Sequence, residues 1–580
     1  MTASDGQPNR VSEWITRYHA KRARRGEKAR GFKANPEPRT IGRLSRGKSL
    51  VAGKYRVDGT LIDVPGGSLW SIETDDADLL HALHGFTWLD DLAALGDYQA
   101  RARAQGWLQE WLNRFYTGKG PGWAAHTTGR RVIRLVNHGL FLMQGDEVDL
   151  SQPLYTSLSQ QTRFLAKRWH TAPMGLPRIE ALTGLIQAGL ALEGTQDIVA
   201  PAIQALGQVC KAAVDDGGAI ASRNPEELLE VLTHLIWAAD ALREADLVPD
   251  EAHLDAIMRI APTLRALRHA DGGLTRFHGG GRGANGQLDT ALAGSGIRGM
   301  PRHGLAMGFV RMSAARTTLI FDGAVPPETE ASSNAHASTL AFEMTSGRRP
   351  VIIACGDGRA FGADWARAGR ATASHSVLGI DGLSSSRLGD PDTAQAEWLV
   401  TRPSSVKVQI GTDATPVGIV AGHDGYVPSH GLTHVRQLEM SEDGRGLAGE
   451  DVLAAIEDDH QQQFTAALEA TRLAGIPYQI RFHLHPDVEA QLDMGGNAVS
   501  LALKSGEVWI FRHDHEAQMR LEPSVYLEHD RVQPRATKQI VLSARALRYA
   551  SRVRWTLAKA QDTPSHLRDY ELDPPDGMDD

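Results

Sequence analysis

Cysteine is almost missing: the chain has two in 580 residues, Cys210 and Cys355, far apart in sequence. That excludes a disulfide framework and the small stapled folds that depend on one. No run of about eighteen apolar residues occurs, so no membrane-spanning helix is expected. No apolar stretch follows the basic N-terminus, so no secretory signal is read. The chain is expected in the cytoplasm, with the periplasm as the alternative. An excess of positive charge is lacking as well. The formal net charge is -8, which argues against nucleic acid as the main partner of the whole molecule, and no specific nucleic acid is expected.

What is present is ordinary for a soluble globular protein, with 42% hydrophobic and 23% charged residues. The length exceeds what one core can organise, so two or three domains are expected. Twelve Trp and 59 Gly are a generous supply. Trp often lines carbohydrate grooves, and core and turns are the plainer use. Residues 1–75 read as a basic N-terminal arm and lead-in, carried by YHAKRARRGEKARGFK. Such a cluster is either a solvated arm or a weak contact to a membrane surface or RNA. Residues 561–580 read as an acidic tail.

From 76 to 285 the period is helical. DLLHALHGFTWLDDLAAL, YQARARAQGWLQEWLNRFY, RRVIRLVNHGLFLM, LYTSLSQQTRFLAKRWH, RIEALTGLIQAGLALEG and TQDIVAPAIQALGQVCKAAV follow one another with short links. In PEELLEVLTHLIWAADALREA, Leu228, Leu232, Leu235, Ile236, Ala239 and Leu242 share one face. Asn224 caps this helix, Pro225 opens it and Glu227 completes a capping box. Consecutive helices with short links pair antiparallel, which predicts a toroid of helical hairpins.

From 286 to 560 the period becomes two. RTTLIFDG, STLAFEM, PVIIACG, SHSVLGIDG, SVKVQIGTD, PVGIVAG, LTHVRQLEM, FTAALEATR, YQIRFHLHP, AVSLALKSG, EVWIFRH, RLEPSVYL, TKQIVLSA and RVRWTLAK read as strands between Gly, Asp, Asn and Pro turns. Many short strands without helices between them predict an antiparallel β-sandwich. The fold class is therefore multidomain, α then β.

Several residues carry candidate chemistry. HDGYVPSHGLTH gathers His423, Tyr426, His430 and His434 in a turn and the strand after it. Tyr426 and His423 are the candidate acid and base there, although a turn at Asp424-Gly425 explains the loop equally well. Arg134 and Asn137 lie one helical turn apart, as paired groups do in a sugar-binding groove. Arg223, beside a DGG loop, could receive a carboxylate or sulfate bidentately. In RFHLHP, Arg481, His483 and His485 share a sheet face, either an anion site or a polar outer surface.

HGFTWLDDL, RLVNHG, DGGAIASRNP, RHADGGLTRFHG, AHASTLAFEMTSGR, RATASHSVLGIDG, HDGYVPSHGLTHVRQL and RFHLHP together resemble the heparinase II/III-like proteins, most of all their alphaproteobacterial branch. AHxxxLxFE with ATxxHS is the most distinctive part. The resemblance implies an (α/α) toroid joined to an antiparallel β-sandwich, with a substrate groove between them. It implies a polysaccharide lyase acting on an acidic, uronic-acid polysaccharide or oligosaccharide. Such a lyase removes the C5 proton of a uronate, stabilises the enolate-like charge and expels the C4 substituent by β-elimination.

Carried over residue by residue, the catalytic parts are absent. The Asn-His pair of active lyases falls on Leu176 and Pro177, the helical-domain Tyr on Glu227, and a sandwich His on Asn334. Asn334 stays a candidate substrate-binding residue with Arg134, Asn137 and Arg223. The zinc ligands that the resemblance implies fall on His336, Cys355 and His375, a set whose imidazoles and thiolate suit that ion. The plain alternative is a small buried thiol and two hydrogen-bonded histidines. The chain is thus expected to be a lyase with altered machinery, or a non-catalytic carbohydrate- or envelope-binding protein on the same scaffold.

Overall fold

The structure is a computed structural model, and it describes all residues except 1–9, 34–36, 58–59, 65–66, 146–148, 300–303, 381, 412–416, 529–530 and 564–580. The acidic tail lies almost wholly outside the described residues. Two compact units are present. One takes the chain up to Asp215 together with Glu230–Arg259; the other takes Asp216–Leu229 and the chain from Ile260 onward. The boundary expected near 285 therefore does not coincide with the compact units. The loop before the 225–244 helix, the first turn of that helix and the 260–285 stretch belong with the strands.

The helices are α1 (Arg10–Arg24), α2 (Leu44–Val51), α3 (Ala77–His84), α4 (Thr87–Leu95), α5 (Tyr98–Phe115) and α6 (Ala125–Asn137). They continue as α7 (Gly139–Met143), α8 (Ser151–Arg168), α9 (Leu176–Ala191), α10 (Val199–Ala213), α11 (Pro225–Glu244) and α12 (Glu251–Ala266). HGFTWLDDL, read as the middle of one helix, holds two: Phe86 takes a left-handed φ of 61° between α3 and α4. The start of α11 is as expected, with Asn224 Oδ1 accepting from the Glu226 and Glu227 amides. Glu227 does not reach back to close a capping box; its carboxylate accepts from Ser222 Oγ at 2.5 Å. All six apolar residues predicted for one face of α11 are buried.

The basic segment is folded rather than a free arm. Helix α1 packs on α8, and Gln160 Nε2 donates to Ala20 O. Further on, the Ala29 amide donates to Ser159 Oγ at 2.7 Å and the Lys33 amide to Ala191 O at 2.7 Å.

In the second unit every strand pairing is antiparallel. A five-stranded meander runs Leu305–Ala306, Phe309–Ala314, Thr317–Asp322, Phe342–Ser346 and Arg349–Ile352. An eight-stranded sheet runs Val406–Ile410, Val417–Tyr426, Leu432–Met440 and Gly446–Ala454, then Ala550–Gln561, Val508–His513, Ala498–Leu503 and Val488–Asp493. A four-stranded sheet orders Gln518–Tyr526, Arg535–Ala546, Ile476–His483 and Leu378–Ile380. Leu432–Met440 alternates buried and half-buried positions, as one covered face requires. FTAALEATR is not a strand: it lies in the helix Asp458–Ala470, which buries only Phe464. A strand missed in the sequence, Gly446–Ala454, pairs with Leu432–Met440 on one side and Ala550–Gln561 on the other.

Candidate functional site

Tyr426 ends a long strand and is 1% exposed. Its hydroxyl donates to Leu378 O at 3.1 Å, and burial pushes the phenol well above its usual range. His423 is equally enclosed. Its Nδ1 accepts from the Gly425 amide at 3.0 Å, so Nε2 carries the proton toward His434 Nδ1 at 3.3 Å. His434 Nε2 in turn meets Asp451 Oδ1 at 2.9 Å. Arg436 and Trp555 Nε1 close the same carboxylate. Burial first, then His434 and Arg436, hold His423 well below the usual histidine value. This is a core network between sheet strands. The side chains expected to act as acid and base are instead fixed away from solvent.

Arg223 follows the same pattern. It sits at φ 54° and spends its guanidinium inside the protein. It donates to Met307, Gly308, Ala324 and Val325 carbonyls and to Asp322 Oδ1 at 2.6 Å. No fork is left for a substrate carboxylate. Burial alone would raise Asp322, but Arg223, His278 and Ser338 hold its carboxyl well below the usual range. In the helical unit, Arg134 Nε donates to Asp90 Oδ2 at 2.8 Å while His138 takes Oδ1 at 2.9 Å. Asn137 is buried, with its Nδ2 unpaired. These two expected groove residues serve the packing of α6.

His336 and His375 come together, with ring centroids 5.0 Å apart, and His278 lies 6.1 Å from His336. All three are fully buried. His336 Nε2 accepts from the Gly279 amide at 3.0 Å, leaving Nδ1 without a partner. Both His375 ring nitrogens are unpartnered. Burial and then His483 and His278 hold His375 down to about 3. Cys355 turns elsewhere: its Sγ is 3.4 Å from His483 Nδ1 and 3.8 Å from Ser524 Oγ. Burial pushes this thiol up to about 11, against the pull of Ser524 and Ser374. A zinc site needs its ligand atoms around one point. Among the described residues, the only trio of metal-capable groups within 4.8 Å of one another is Glu457, Asp459 and His460. That trio is a partly exposed helix start, and exposed acidic groups commonly gather without an ion. The donor set His336, Cys355 and His375 does not fit zinc in this geometry.

Above the histidines is a polar rim. The glycine loop 279–281 passes so close to Asn334 that a Cβ on Gly279 would lie 2.7 Å from the Asn334 Cβ. Asn334 Oδ1 accepts from Arg359 at 3.1 Å, and Arg359 also donates to Gly279 O at 3.3 Å and pairs with Asp357 at 2.5 Å. The Arg359 side chain keeps 38% of its surface in water. Beside it, the first turn of α11 offers Glu226, bound to the Gly281 amide at 2.6 Å, and Glu227. Burial raises Glu227 above the usual carboxylate value, against Ser222 and Arg359. Of the expected substrate-binding residues, Asn334 is the one placed at a surface. Arg359 was not foreseen; the signal was a lone Arg inside the glycine-rich GDGRAFG.

A second unforeseen cluster lies in the helical unit. Glu180 of α9 is buried and takes Arg130 of α6 at 2.6 Å and His234 of α11 at 3.4 Å, with His81 of α3 at 3.6 Å. Burial would raise this carboxyl; Arg130, His234 and His81 hold it well below its usual value. The signal was a single acid in the mostly apolar IEALTGLI. Its partners lie far away in sequence.

Residues 297–556 match the family model described as heparinase II/III-like, C-terminal. The chain is 29% identical over 540 residues to FtsZ-localized protein C of Caulobacter vibrioides, covering 92% of this chain and 91% of that one. Among solved structures, heparinase III superposes with a TM-score of 0.69 at 13% identity, over 94% of this chain and 90% of that one. The heparan sulfate lyase HepC from Pedobacter heparinus gives 0.54 at 13% identity, over 96% and 89%. These structural likenesses show a heparinase III-like fold.

Proposed function

We propose that the chain, whose residues 297–556 match the heparinase II/III-like C-terminal model on a heparinase III-like fold, keeps the lyase scaffold to bind an acidic glycan or envelope component and does not carry out β-elimination. The observation that carries this is the position of Tyr426. This phenol, the expected acid or base, is buried and already donating to Leu378 O. A β-elimination needs a base within reach of the C5 proton and an acid at the leaving oxygen. Leu176 and Pro177 open α9, Glu227 is a half-buried acid bound to Ser222, and Asn334 is a neutral amide. None of these supplies that pair.

The Asn334–Arg359 rim supports binding. A half-exposed guanidinium beside an amide and a close backbone loop suits carboxylates and hydroxyls. Purified protein is mixed with heparan sulfate and alginate oligosaccharides, and binding and the ultraviolet absorbance of unsaturated product are followed together. The expected result is saturable binding, weakened in Arg359→Ala, with no product. Unsaturated product would overturn the non-catalytic part; neither binding nor product would overturn the glycan part.

The likeness to a relative named for its association with FtsZ supports a place for the binding protein. This chain is expected to gather with FtsZ in its own cell. A fluorescent fusion should follow the FtsZ ring and disperse when FtsZ is depleted. A uniform distribution in cells with intact rings would refute this.

A further inference from the structure

Helices α5 and α8 border an open cleft of about 400 Å³, lined by none of the Asn334–Arg359 rim. From α5 come Gln109, Leu112 and Asn113, with Tyr116 just past the helix end. They recur at the three- and four-residue spacing of a single helix face. From α8 come Gln152, Pro153, Thr156, Ser157 and Gln160, again on one side of the helix. Arg24, 4.6 Å over the Tyr116 ring, borders one end. The volume lies in the range that holds a small ligand. No carboxylate lines the cleft, and its one cation is stacked on an aromatic ring.

At the base of the cleft one amide is fixed but only half used. Gln160 is 4% exposed. Its Nε2 donates to Ala20 O at 3.0 Å and to Tyr116 O at 2.9 Å. Turning the amide over would set its oxygen against two carbonyl oxygens, so the network fixes its orientation. The other end, Oε1, accepts from no group among the described residues. One helical turn earlier, Ser157 is 7% exposed and its Oγ accepts from Gln161 Nε2 at 2.9 Å. The Ser157 hydroxyl hydrogen meets no acceptor among the described residues. A fixed acceptor and a fixed donor therefore stand three residues apart on one helix face. Nearer the mouth, Asn113 Oδ1 accepts from Gln109 Nε2 at 3.2 Å. Gln152 and Thr156 make no side-chain hydrogen bond among the described residues.

A hydroxyl donates and accepts through one oxygen, and a ring bearing several of them satisfies a neighbouring acceptor and donor together. Leu112 and Pro153 offer apolar surface to the C–H face of such a ring. The amides at the mouth can turn to meet its outer hydroxyls. A peptide would bring side chains that need pockets or charged partners of their own, and this lining supplies neither. We propose that the cleft binds an uncharged saccharide of one or two rings, held at Gln160 Oε1 and Ser157 Oγ. The site goes beyond the acidic-glycan reading and does not rest on it, since its ligand has no carboxylate and no rim residue takes part.

The test is calorimetric titration of the full chain with N-acetylglucosamine, chitobiose, cellobiose and maltose, all uncharged. Saturable binding of at least one is expected. Gln160→Met keeps the length of the side chain, removes the acceptor and should weaken that sugar by about tenfold. Because this change also takes away the two bonds to carbonyls, a second variant is placed at the mouth. Asn113 is exposed, so Asn113→Trp should block the cleft and abolish binding with an unchanged thermal melt. Arg359→Ala should bind the sugar as the wild type does, which separates this site from the rim. No binding of any of the four sugars, wild-type binding by Asn113→Trp, or lost binding in Arg359→Ala would overturn the proposal. Binding of N-acetyl-trialanine amide with none of the sugars would overturn it in favour of a peptide.

Discussion

At the scale of single residues, the second unit is unusual for how many histidines it keeps neutral inside. His278, His336, His375, His423 and His434 are all fully buried and lowered, with burial the first cause of each. The unfolded chain takes up protons on these rings at a higher pH than the folded chain does. Each ring therefore removes stability as pH falls below the unfolded value of about 6.5. For His375 the loss continues down to about 3. Asp322, Glu343 and Asp451, burial notwithstanding, are lowered by Arg223, Arg276 and Arg436. Their contribution is present above about pH 4 and is lost below it. Urea titrations at pH 7 and pH 5.5 should show a steep loss. His375→Phe should reduce that loss by roughly 1 kcal/mol over the interval, because neither ring nitrogen has a partner to lose. An unchanged slope would show that His375 is not kept neutral in the fold. The sequence displayed this chemistry without its burial. Strand alternation treats polar positions as outward, yet His434 and Arg436 occupy the inward, buried positions of Leu432–Met440. Their partner Asp451 comes from Gly446–Ala454, one of the strands that the sequence reading missed.

At the scale of elements, α6 and α9 meet backbone to backbone. A Cβ on Gly184 would stand 2.6 Å from Gly129 O and 2.9 Å from Gly129 Cα. Gly184→Ala gains up to about 1 kcal/mol of helix propensity and loses about 1–3 kcal/mol to overpacking, so its urea midpoint should drop. Gly106, exposed in α5 with nothing within 4 Å of a Cβ, is the control, and Gly106→Ala should raise the midpoint. If both substitutions stabilise, the close crossing of α6 and α9 is wrong. Most helices were legible because their apolar residues recur at helical spacing and because Asn224 and Pro225 mark a start with known chemistry. Asp458–Ala470 was not, because it is a surface helix burying only Phe464. With one apolar anchor, FTAALEATR offers no helical stripe and its short apolar run passes for a strand.

At the scale of the whole molecule, the α-then-β order was readable from the change of period alone. The resemblance to heparinase II/III-like proteins, matched over residues 297–556, was readable from motifs that turn out to build the core, such as Glu343 of AHASTLAFE, which accepts from Thr275 and the Arg276 amide. What the sequence could not show is that these polar motifs are retained as structure. Arg223, His423, Tyr426 and Glu343 hold loops and sheets together, and the exposed remainder is a small rim at Asn334 and Arg359. The central claim is that a lyase scaffold has lost its proton chemistry. Hydrogen exchange at uronate C5 tests it most directly, because proton removal must come before any elimination. Incubated with bound uronate oligosaccharide in deuterated water, the protein should leave C5 fully protonated by NMR. Deuterium appearing at C5 faster than in buffer alone would contradict the account.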